Sequence, residues 1–133
     1  MAEISKVGTP SISTALPDGG DKVTGLLAGE ALGAGDACYI LAADGKVYRS
    51  TGASIAAAAK VRGFAARPAV AGDPVTLFVR ANWRYGTGLS PGADVYLSGA
   101  VIGGLADAPS TGGTAPVGFV VDATRIHLVR SSY

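Results

Sequence analysis

The side chains that most often carry chemistry are scarce here. The 133-residue chain has one histidine and one cysteine. His127 lies between Ile126 and Leu128, where an alternating strand makes it a structural or surface residue. Cys38 occupies an apolar position, as a small buried hydrophobe. One His and one Cys are too few for a His/Cys zinc site, which takes four ligands or three and a water. Acyl transfer lacks its pattern too, since no Gly-x-Ser-x-Gly elbow is present and the only histidine sits in a strand. The glycine-rich runs "GLLAGEALGAGD" and "STGGTAP" have neither the Lys-Ser/Thr ending of a phosphate loop nor its strand–turn–helix setting. Eight aspartates and two glutamates are dispersed. Asp36, Asp44, Asp73 and Asp94 adjoin turns, where Asp hydrogen-bonds backbone. The expectation is a protein that is not an enzyme, with no catalytic residues, no cofactor, no metal and no small-molecule substrate.

The remaining chemistry-bearing group is "ANWRYG", residues 81–86, with Arg80 just before it. Trp83 and Tyr85 flank Arg84. Aromatics and arginines dominate protein interfaces, so Arg80, Trp83, Arg84 and Tyr85 are interface candidates. The same group could be a stacking platform for sugars or bases. It could also be a connector whose tryptophan plugs the end of a core.

Strands must position these residues. Alternation and turn residues predict strands at Val23–Leu27, Ala37–Leu41, Lys46–Ser50, Val61–Ala66, Val75–Ala81, Asp94–Ser98, Pro116–Asp122 and Arg125–Val129. Asp44-Gly45 predicts a hairpin. "SIAAAAK", residues 54–60, favours helix by propensity but is long enough for one turn only.

The strands come in related sets. Leu32–Ile40, "LGAGDACYI", aligns without gaps on Leu89–Leu97, "LSPGADVYL". A weaker third copy is "AGDPVTL", residues 71–77. Val61–Ala65 matches Pro116–Val120, and Leu77–Arg80 matches His127–Arg130. Pro91-Gly92 suits the centre of a type II turn, with proline fixing φ and glycine supplying a positive φ; Ala34-Gly35 can do the same. Past the turn, Cys38 and Ile40 share one face, as do Val95 and Leu97, while Tyr39 and Tyr96 take the other. Gly63 and Gly118, each before a phenylalanine, predict close approach of a neighbouring strand or a bulge. The chain is therefore expected to be all-β: a small β-barrel or sandwich built from two related β-units, unit one about 23–81 and unit two about 85–130, within a β domain spanning 23–133.

Residues 1–22 differ. "MAEISKVGTPSISTALPDGGDK" has no sustained alternation, and Pro10, Pro17, Gly19 and Gly20 interrupt it. An extended N-terminal arm is expected, able to reach roughly 65 Å. Its scattered apolar residues, Ile4, Val7, Ile12 and Leu16 together with Pro10, are the candidates for contact with a partner.

Composition agrees with a turn-rich β protein. Hydrophobic residues make up 48%, aromatics 7% and charged residues 16%, with 20 glycines. Charge well below the usual quarter implies that part of the surface is not meant to face water alone. A net charge of +1 makes no electrostatic case for nucleic acid or membrane. Positive residues do gather in the middle: between Lys46 and Arg84 the only acid is Asp73. That stretch suits an acidic partner surface or a solvated strand face equally. No signal peptide or membrane-spanning stretch is present, so synthesis in a reducing cytoplasm is expected.

"GEALGAGDACYILAADGKVYRS" with "VRGFAA" and "AGDPVTLFV", and then "YGTGLSPGADVYLSGAVIGGLADAPSTGGTAPVGFVVDATRIHLV", resembles the β-modules of tailed-bacteriophage head proteins. The resemblance covers about Gly25 to Arg130. It implies a capsid decoration, or cement, protein: a small β-rich virion protein, made in the host cytoplasm. It would sit as a homotrimer on the outer capsid surface at threefold and local-threefold positions. Its partner would be the major capsid protein, which it bridges to its neighbours, with the arm embracing the shell and no nucleic acid or membrane involved. Because the module also occurs in fibre proteins, the alternative is a head- or tail-fibre adhesion module that binds a glycan or host surface through Trp83, Arg84 and Tyr85. A lipoyl-type carrier is a third reading, opposed by Gly45 standing between Asp44 and Lys46, where that pattern expects adjacent Asp-Lys.

Overall fold

The computed structural model describes residues 3–14 and 22–132. The fold is all-β, with two antiparallel sheets, one of them curled into half a barrel. In chain order the strands are β1 (Glu3–Ile4), β2 (Ser11–Thr14), β3 (Lys22–Leu27), β4 (Ala37–Ile40), β5 (Val47–Arg49), β6 (Gly63–Ala65), β7 (Pro74–Phe78), β8 (Arg80–Arg84), β9 (Asp94–Leu97), β10 (Leu105–Ala106), β11 (Gly118–Val120) and β12 (Arg125–Val129). The alanine run forms a single 3-10 turn at Ala57–Ala59.

The five-stranded sheet, ordered β3-β7-β6-β4-β5, is built wholly from residues 22–78; the seven-stranded sheet is ordered β1-β10-β9-β11-β12-β8-β2. The chain passes from one to the other at Val79. The single strand expected over Val75–Ala81 is therefore two, β7 and β8, belonging to different sheets. "ANWRYG" is a strand beside β12, with Trp83 opposite Ile126, and the tryptophan plugs the core as the connector reading expects.

The repeat is a repeat of turn chemistry. In each copy a backbone N–H bonds to the carbonyl three residues earlier: Asp36 to Gly33, Asp73 to Val70 and Ala93 to Ser90, at 3.0–3.1 Å. The third residue of each turn is a glycine at positive φ, Gly35 (77°), Gly72 (93°) and Gly92 (83°), as a type II turn requires. Strands β4, β7 and β9 leave these turns in the same way. Asp44-Gly45 closes the β4–β5 hairpin, with Gly45 N–H bonding to Leu41 O at 2.7 Å. A Cβ on Gly63 would stand 2.7 Å from that of Leu77, and one on Gly118 2.1 Å from His127 O; both glycines mark the expected strand contacts.

Alternation fixes which face each strand buries. Ala37, Phe64 and Phe78 face the larger sheet and join Trp83, Val95, Leu97, Ile126 and Leu128 in one core between the sheets. Cys38, Val47, Ala65, Val75 and Leu77 point the other way, into a smaller core with Ala28 and Leu32. The Cys38 thiol is buried there, donates to Asp36 O at 3.2 Å and is pushed up by desolvation and the neighbouring Asp36 charge.

Candidate functional site

The N-terminal segment is where the structure departs furthest from expectation. Residues 3–14 are extended, yet they lie on the body of the same chain. Strand β1 pairs with β10, Glu3 opposite Ala106 and Ile4 opposite Leu105. Strand β2 pairs with β8, Ser11 opposite Arg84 and Ile12 opposite Trp83, with a register shift between Ile12 and Thr14. These are the two edges of one sheet, so the segment is a strap fastened at both.

The physical reason is local. An unpaired sheet edge presents a row of open N–H and C=O groups, and the nearest extended segment that can fill them is the chain's own leader. Between its strands the strap is anchored residue by residue. Glu3 Oε1 accepts the Ser98 hydroxyl at 2.8 Å. Lys6 forms an ion pair with the buried Asp36 carboxylate, which also accepts Gly33 N–H at 2.7 Å. Val7 N–H bonds to Tyr85 O at 2.9 Å. Pro10 is buried, its Cβ where a Cβ on Gly35 would come within 2.9 Å. The strap thus touches the opening turn of one repeat and the aromatic strand of the other.

Of the arm candidates, Ile4 packs against the main core and Pro10 is buried, so neither reaches outward. Val7 is exposed. Ile12 lies in the terminal strand β2, and Leu16 falls outside the described residues. The extended arm expected over residues 1–22 is extended over residues 3–14, where it is docked on the body of its own chain. Asp36 bonds its turn's backbone as expected, but its pairing with Lys6 and that of Glu3 with Ser98 went unsuggested by the sequence, because the partners are distant in chain order and share no spacing that marks them.

The interface candidates divide by strand alternation. Trp83 is 0% exposed and Tyr85 1%; Arg80 and Arg84 are exposed on the opposite face. Trp83 meets Phe78 edge-on, ring centroids 6.4 Å apart. The expectation that the two aromatics form a contact or stacking surface is therefore corrected. Trp83 in β8 and Tyr85 just past its end lie on the face that carries the core residues Ala81 and Ile126, so the two rings present no exposed stacking surface. Trp83 Nε1 and Tyr85 Oη are buried without a hydrogen-bond partner among the described residues, and burial pushes the Tyr85 phenol up.

On the outward face of the larger sheet, His127 shares a hydrogen bond with Asn82 (Nδ1 to Oδ1, 2.6 Å) and lies against Phe119, centroids 5.2 Å apart. Among the described residues no three His, Cys, Asp or Glu side chains gather to hold a metal ion, and no helix is long and apolar enough to cross a membrane. Neither a family model, nor a curated protein, nor a solved structure matches the chain.

Proposed function

We propose that the chain is a structural virion protein that binds the outer surface of a tailed-phage capsid, as a trimer at threefold and local-threefold positions, and stabilises the head by bridging major capsid proteins. One observation carries this reading beyond the sequence resemblance. The leader supplies both edge strands of the larger sheet, so an edge of the shell protein can add to it with no part of the body unfolding. Strand addition satisfies backbone groups on both partners and depends little on side-chain identity. Several copies held in one oligomer raise the joint hold through effective concentration. The glycan-binding alternative loses its platform, since Trp83 and Tyr85 are core residues.

The register shift in β2 supplies the test. Ser13 falls at the irregularity and takes no place in the β2–β8 register. Proline is tolerated at such a position and removes the backbone N–H of one residue of the terminal strand. Ser13→Pro should keep the native melting temperature and lose co-sedimentation with expanded, undecorated heads of the phage that encodes the chain. Binding undiminished in a folded Ser13→Pro variant would exclude strand addition at β2.

A further inference from the structure

We infer that a hollow between the strap and the body takes the cationic end of an aliphatic chain, an alkylammonium or alkylguanidinium group. This goes beyond the capsid reading and does not depend on it. The hollow holds about 280 Å³, near the lower limit for small-molecule sites, so it suits one long side chain or a small amine. Its walls come from separate parts of the chain: the strap at Glu3 and Lys6, the opening turn at Asp36, the stretch from Val101 to Leu105, and Tyr85.

Tyr85 points to a ligand. The residue is 1% exposed, and its hydroxyl has no hydrogen-bond partner among the described residues. Desolvation raises its pKa, and the charges of Asp36 and Glu3 raise it further. Both carboxylates line the same hollow, so the hydroxyl end of the ring is the end that faces it. Native interiors rarely keep a buried polar group unpaired. The neighbouring groups are already engaged: Asp36 is held by Lys6 and by Gly33 N–H, and Glu3 Oε1 accepts the Ser98 hydroxyl. The chain's own Lys6 does not answer the phenol, since its ammonium is on Asp36.

The lining selects the charge of the guest. Two carboxylates face one ammonium, so with Lys6 paired to Asp36 the charge of Glu3 is in surplus. An anion would be repelled by it. A wholly apolar guest would leave the Tyr85 hydroxyl as unpaired as before. A cation answers both: it offsets Glu3, and its N–H donates to the phenol oxygen in a charge-assisted bond.

The lining selects the stem as well. Leu105 is buried in the wall, and Val101 and Ile102, each about half exposed, complete it toward solvent. Such walls cover methylene groups, as apolar surface covers the stems of lysine and arginine while their heads reach polar partners.

The test uses the isotopically labelled full chain at neutral pH, with no capsid present. n-Butylguanidinium and n-butylammonium at millimolar concentration should move the amide signals of residues 3–6 and 101–105 saturably. Butyrate, with a similar stem and the opposite charge, should not. Tyr85→Phe should keep or raise the melting temperature and weaken cation binding about tenfold or more, as for one lost hydrogen bond to a charged group. Glu3→Gln tests the site without touching the core: it keeps an acceptor for the Ser98 hydroxyl, removes the surplus charge and should weaken binding too. No saturable shift with either cation, equal shifts with butyrate, or undiminished binding in Tyr85→Phe or Glu3→Gln would overturn the inference. Competition between the free cations and head binding would identify the natural guest as a lysine or arginine side chain of the shell protein; cation binding without competition would identify a free amine. Both outcomes support the site, and the capsid reading can fail with the shifts intact.

Discussion

Alternation along one five-residue strand decides what each side chain of Arg80–Arg84 does, and Tyr85 continues the pattern. Trp83 is sealed in the core between the sheets, and Arg84 beside it faces solvent. Trp83→Ala should therefore cost about 3–5 kcal/mol, the range for a large aromatic removed from a core, while Arg84→Ala stays within about 0.5 kcal/mol, as for an ordinary surface change. Tyr85→Phe should behave differently from either. The phenol hydroxyl is buried with no partner among the described residues. An unsatisfied buried donor costs about 1–3 kcal/mol, so its removal should leave the melting temperature unchanged or raised. Chemical denaturation of the three variants checks the set, and a loss of several kcal/mol in Tyr85→Phe would show that the hydroxyl is satisfied in solution.

Among the elements, the turn repeated before β4, β7 and β9 was legible because its chemistry is written in adjacent residues. Glycine at the third position and an apolar–polar alternation after it give turn and strand together. Gly63 and Gly118 were legible as strand contacts for the same reason. The strap was not. Its two strands are two and four residues long, too short to show a period, and its anchors on Asp36, Tyr85 and Ser98 come from parts of the chain that only the fold brings near. The Val79 break was hidden too, since Val75–Ala81 alternates well enough for one strand although its halves belong to different sheets. Turn and strap meet at Gly35, which yields a contrast between equivalent positions. Gly92→Ala meets open space and bears only the positive-φ penalty, about 1–2 kcal/mol. Gly35→Ala bears that penalty and also drives its Cβ to 2.9 Å from Pro10. It should lose more stability than Gly92→Ala and speed amide exchange in residues 3–12, while Gly92→Ala leaves that exchange alone.

Taken whole, the chain joins two related β-units through one core and ties them with a strap that touches both. The strap's anchors at Gly35 and Asp36 lie in the first unit and those at Tyr85 and Ser98 in the second. Such a body suits a load-bearing role: both edges of its larger sheet are occupied by residues 3–14 of the same chain. On the proposed account the capsid is held through the outer edge of β2, so stabilisation of the head needs no chemistry beyond contact. The direct measurement is the temperature at which expanded heads release their DNA, followed by a dye, with and without the purified chain. The account predicts a higher release temperature that saturates as the chain's binding sites fill. An unchanged release temperature at saturating chain would contradict it.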